Sequence, residues 1–122
     1  MEKIETKNAA PPAGPYSQAI RSPPFIFVSG QIPADASGKL VTGSIAEQTR
    51  QCCESVKAIL AEAGSGIEKV VKCTVFITTM DNFAEMNSVY EQYFAHRPAR
   101  SCIAVKQLPK DVPVEIECIA LA

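Results

Sequence analysis

Two helix-period segments lie among strands that are apolar on both faces, and this mismatch constrains the chain more than any other feature. The first helix is marked by Ser44 and Glu47, a capping-box pair in which each side chain can satisfy a backbone N–H. Ile45, Thr49, Cys52, Val56, Ile59, Leu60 and Ala63 follow at helical spacing, and Gly64 and Gly66 supply the stop. A second helix is predicted over about Asn82 to Phe94, capped by Asp81 or Asn82, with Phe83, Met86, Tyr90, Tyr93 and Phe94 as its apolar stripe. Strands are predicted at Phe25 to Ser29, Val70 to Thr78, about Arg100 to Val105 and Val114 to Ala120. Two helices can cover only one face of such a sheet. Yet Val71, Cys73, Val75 and Ile77 alternate with Thr74 and Phe76, and Val114, Ile116 and Cys118 with Ile119 and Leu121. The expectation is an α+β fold, a mixed sheet with two helices on one face. An apolar face left uncovered implies a homo-oligomer with sites at or near subunit contacts.

The length of 122 residues suits one domain over residues 1–122. The net charge of -1 lacks the basic excess that phosphate neutralisation demands, which argues against nucleic acid as a partner. No apolar run approaches the roughly 20 residues of a bilayer span. Met1 to Ala10 carries neither a signal core nor an Arg-rich presequence. A cytoplasmic location is the expectation, and a mature mitochondrial form would look the same. The five cysteines, Cys52, Cys53, Cys73, Cys102 and Cys118, include no C-x-x-C and read as reduced thiols. His96 is the single histidine, a poor basis for zinc. Ala9 to Pro15 reads as an ordered loop or arm, and Gly64-Ser65-Gly66 is a helix stop, not a phosphate loop.

Four clusters carry the chemistry: Gly14-Pro15-Tyr16-Ser17-Gln18-Ala19, Val28-Ser29-Gly30-Gln31-Ile32-Pro33, Pro98-Ala99-Arg100-Ser101-Cys102 and Val114-Glu115-Ile116-Glu117. In this order they resemble the RidA/YjgF family of reactive-intermediate deaminases, also described as L-PSP proteins, over essentially the whole chain. The connection Ala95-His96-Arg97 is shorter than in many bacterial members. The resemblance implies a YjgF-like (chorismate-mutase-like) fold and a homotrimer. It also implies cofactor-free hydrolysis of 2-imino acids, tautomers of enamines such as 2-aminoacrylate, to 2-keto acids and ammonia. No metal or organic cofactor is expected, because the substrate is already electrophilic.

A guanidinium matches a carboxylate bidentately, and every 2-imino acid carries one. The resemblance places Arg100 on the carboxylate-binding arginine; a structural ion pair with Glu115 or Glu117 on the neighbouring strand is the alternative. Imine hydrolysis also needs a general acid–base. Glu115 and Glu117 share a strand face, and the resemblance selects Glu115; both could instead be solvated charges. The resemblance puts Tyr16 in the pocket wall, against a role pinning the N-terminal arm. It has Ser29 and Gly30 contact substrate through the backbone, where a strand-ending turn is the plain alternative. Cys102 shares a face with Arg100, and its carbonyl is implied to hold the attacking water; a buried inert thiol is the other reading. Asn87 could reach the pocket and bind substrate; simple exposure or a local hydrogen bond is the alternative. Two further functions compete with the deaminase: an RNA-cleaving translation inhibitor, and a non-enzymatic module that binds small carboxylates or, holdase-like, client proteins.

Overall fold

A computed structural model describes residues 1–122. Six strands form one sheet: β1 (Glu2–Ile4), β2 (Ala19–Ser22), β3 (Phe25–Gln31), β4 (Val70–Ile77), β5 (Ala99–Ala104) and β6 (Val114–Leu121). Their order is β1-β2-β3-β6-β4-β5, antiparallel except for the parallel pair β4 and β5. Helices α1 (Ile45–Glu62) and α2 (Phe83–Tyr93) pack on one face, as a mixed α+β sheet requires. No helix is long and apolar enough to cross a membrane.

Helix α1 begins at Ser44, whose Oγ accepts from the Glu47 N–H at 3.1 Å. The reciprocal half of the capping box is altered: the Glu47 carboxylate accepts from the Ser44 hydroxyl at 3.4 Å. The helix stops where Gly64 turns left-handed at φ 75° and the Ser65 N–H reaches the Leu60 carbonyl. Gly66, expected to share that role, is extended at φ -169°. The α1 stripe predicted from spacing is buried apart from the half-buried Ile45, and Cys53 and Ser55 widen it. Asn82 stands at the start of α2 without a side-chain cap; Thr79, one short turn earlier, accepts from the Asp81 N–H.

Val71 departs from the predicted alternation. It is 38% exposed, while Val70, Cys73, Val75 and Ile77 face the helices. A register shift between Val70 and Lys72 inserts the extra residue that flips its side chain. Strand β3 also runs past its predicted end, through Gly30 to Gln31, with a shift between Val28 and Gln31. Gly30 therefore sits within a bulged strand, not in a terminal turn. Strands β1 and β2 were not apparent in the sequence: Ala19–Ser22 is too short to show a period.

The core joins Ile26, Val75, Ile77, Val114 and Ile116 of the sheet to Val56, Ile59 and Leu60 of α1 and Met86 and Tyr90 of α2. The opposite sheet face has no helical cover. Phe25, Phe27, Phe76, Ile103, Ile119 and Leu121 share it by register, and Phe27, Ile103 and Leu121 are 45%, 46% and 43% exposed.

Candidate active site

The side chains singled out in the sequence gather in two places, not one. Register fixes the division. Arg100 lies opposite Cys73, which lies opposite Cys118, and both cysteines face the helices. Glu115 lies opposite Phe76, which lies opposite Ile103, on the uncovered face. Because successive residues alternate faces, Arg100 and Cys102 share the helix side, whereas Glu115 and Glu117 share the open side. The strand-neighbour ion pair considered for Arg100 is therefore absent. Strand β4 separates β5 from β6, and the side chains project from opposite faces. The one ion pair of the chain is Arg21–Glu2.

On the helix side, the Arg100 guanidinium donates to the Asn87 amide oxygen at 2.6 Å. Its Cζ lies 4.7 Å from the Tyr90 ring centroid and 5.6 Å from that of Phe83. Asn87 thus makes a defined side-chain contact, and that contact is to Arg100. The remaining guanidinium donors have no carboxylate partner in the chain. Cys102 is half-buried beside the core; burial pushes its thiol up in pKa, and Arg100 only partly opposes this. A protonated thiol is a poor nucleophile, so its side chain suits the inert reading.

On the open side, Tyr16, Ser29, Gly30, Glu115 and Glu117 line a cleft of about 540 Å³ with Ala13, Ile32, Pro109 and Lys110. Gly30 makes this arrangement possible: a Cβ there would stand 2.8 Å from the Glu115 carboxyl carbon. Burial, reinforced by repulsion from Glu117, holds the Glu115 carboxyl above the ordinary carboxylate range. Tyr16 is 49% exposed, and its hydroxyl accepts from the Ala13 N–H at 3.2 Å. It lines the cleft and braces its own loop together. The Ser29 hydroxyl donates to the Ser17 carbonyl at 2.6 Å, so it secures the wall.

Two residues that hold the wall were not singled out beforehand. Buried Gln18 donates to the carbonyls of Thr6 and Ala10 and accepts from the Thr6 N–H, lashing the N-terminal arm to β2. Buried Gln31 donates to the Ser29 carbonyl at 3.0 Å. A polar residue inside an apolar motif was the available signal for both. Lys110 was also missed. It enters the cleft from a turn in which Lys110 and Asp111 both adopt left-handed φ, at 55° and 59°, which spacing does not reveal. No group of three His, Cys, Asp or Glu side chains converges as a metal site would require.

Comparison with known proteins accords with this arrangement of motifs. The sequence model described as endoribonuclease L-PSP matches residues 6–122. A RutC family protein of Pyrococcus horikoshii is 51% identical over 121 residues, covering 98% of this chain and 96% of that protein. The crystal structure of E. coli TdcF with bound serine superposes with a TM-score of 0.95 at 41% identity, covering 100% of this chain and 99% of the other. The E. coli YjgF gene product superposes at 0.94 with 40% identity, covering 99% and 98%. The chain belongs to the endoribonuclease L-PSP family, the RidA/YjgF family that its four motifs resemble.

Proposed function

We propose that the chain is a cofactor-free deaminase that hydrolyses 2-imino acids such as 2-iminopropanoate and 2-iminobutanoate. The observation that carries this reading is Arg100, a fixed guanidinium with donors to spare and no carboxylate partner in its own chain. It suits the carboxylate that every 2-imino acid bears. The serine bound by TdcF, a 2-amino carboxylate, has the same arrangement of carboxylate and adjacent nitrogen-bearing carbon.

Association would complete the site. The helix-side fork and the open-side cleft belong to different faces of one sheet, so a second copy supplies the half that each copy lacks. The uncovered apolar face gives such copies a surface to bury, and a cyclic homotrimer would bury it on every copy. In the joined site Arg100 holds the carboxylate and Tyr16 closes over the substrate. The backbone at Ser29 and Gly30 shapes the floor. Glu115, whose burial favours the protonated form, gives its proton to the imine nitrogen. Water held by the Cys102 carbonyl, on an edge strand with unpaired backbone groups, adds to the imine carbon. One proton of that water passes to Glu115 and on to the amine nitrogen. The carbinolamine then collapses: the C–N bond breaks, ammonia leaves, C=O forms, and the hydroxyl proton returns to Glu115.

The family name, endoribonuclease L-PSP, refers to RNA cleavage, but the single histidine serves another purpose. His96 Nε2 is hydrogen-bonded to the Val70 carbonyl at 2.8 Å, outside both half-sites. The deciding experiment generates 2-aminoacrylate with a pyridoxal-phosphate dehydratase and follows keto-acid release. Wild type should accelerate release; R100A and E115Q should not. Full acceleration by R100A would remove the carboxylate role and the mechanism with it.

A further inference from the structure

Arginine on an edge strand has many rotamers, and a fork that must meet a planar carboxylate needs one of them. Here the restriction comes from a single face of α2. Phe83, Asn87, Tyr90 and Phe94 follow one another by four, three and four residues, so their side chains line one stripe. Tyr90 is 7% exposed and stacks on buried Phe94, with ring centroids 4.5 Å apart and planes 24° apart. Arg100 lies 4.7 Å from the Tyr90 centroid, while Asn87, one turn earlier, takes one guanidinium N–H. The result is a layered stack, Phe94 under Tyr90 under Arg100, with a lateral stop at Asn87.

We infer that Tyr90 is a positioning residue for Arg100: its ring face, anchored on Phe94 and assisted by Asn87, sets the plane in which the guanidinium meets a substrate carboxylate. The ring supplies this, not the hydroxyl. A face-on cation gains from the ring quadrupole most where solvent is excluded, and the stack excludes it from one side. The functional part of this inference rests on the proposed deaminase reading; the restraint on Arg100 does not.

Two measurements test it on the full chain. In Y90F the ring remains; in Y90L the bulk remains without the face. The order parameter of the Arg100 Nε–H, from nitrogen-15 relaxation, should match wild type in Y90F. In Y90L it should fall toward that of exposed Arg97. KM for the imino acid should rise about tenfold in Y90L with kcat within about twofold, and Y90F should restore it. Should Y90L not fold, Y90M, which adapts to an irregular gap, takes its place with the same expectation. An Arg100 as ordered without the ring as with it would overturn the inference, and so would a Y90F as impaired as Y90L. Absence of imine turnover in wild type would instead defeat the deaminase reading, while the order parameter would still decide what Tyr90 does.

Discussion

The arginine shelf and the glutamate cleft are built by opposite means. Arg100 is held by a helix: one amide and two aromatic rings restrict it, all from α2. Glu115 is admitted by an omission, the missing side chain at Gly30, and enclosed by loops that Gln18, Ser29 and Gln31 secure through backbone bonds. The separation has an electrostatic consequence. Were the two on one face of neighbouring strands, they would pair, lowering the Glu115 pKa and occupying the fork. Placed on opposite faces of one chain, the carboxyl escapes that lowering and the guanidinium keeps its donors. On the proposed function, a site that uses both would be assembled where two copies meet.

The largest expected effect is that of R100A, which removes the sole proposed anion partner. We expect kcat/KM to fall by about 10²–10³, the scale of a lost charge-assisted bidentate contact, in the coupled imine assay. E115Q should lower kcat by about 10² while leaving 2-oxobutanoate binding nearly intact, as calorimetry would show. The pH dependence follows from the raised Glu115 pKa. The protonated carboxyl is the acid, so kcat should decline as pH rises through that elevated value, and the decline should vanish in E115Q. The same shift fixes a sign for stability. Between the unfolded pKa and the raised folded one, the native state binds more protons. Stability attributable to Glu115 therefore falls as pH rises across that window, and E115Q should gain Tm relative to wild type above it.

G30A should have an intermediate effect. The new methyl meets the Glu115 carboxyl, a flexible end that can swing away, so the fold should survive. Activity should drop about tenfold through misplacement of the acid, with a far smaller change in Tm. Retention of full activity would mean that Glu115 does not act from its observed position. The smallest effect belongs to C102S. If only the carbonyl of this residue is used, activity should stay within about threefold of wild type, whereas a thiol nucleophile would lose far more.

The sequence carried the helices and the four longer strands because each has a period. Ser44, Gly64 and the α1 stripe were all readable in that way. Features that depend on a bulge were not. Val71 turned outward because one residue too many lies between Val70 and Lys72, and a bulge leaves no period to detect. The members of the site were legible as residue types in motifs, but their division was not. That follows from the sheet order, in which β4 inserts between β5 and β6. Consecutive strands at the end of the chain suggested neighbours; the parallel pairing of β5 with β4 made them next-but-one. Asn87 could be weighed as polar on an apolar helix, yet only the distance to Arg100 identified its contact.

Subunit mixing tests the division most directly. R100A and E115Q, each inactive alone, are dissociated, combined in equal amounts and reassembled. If every site takes its arginine from one copy and its glutamate from the next, random mixing leaves about a quarter of the interfaces of a cyclic assembly with both groups intact. Imine turnover should then recover to about that fraction of wild type. A mixture no more active than the average of the two parents would contradict the divided site and return both residues to a single chain.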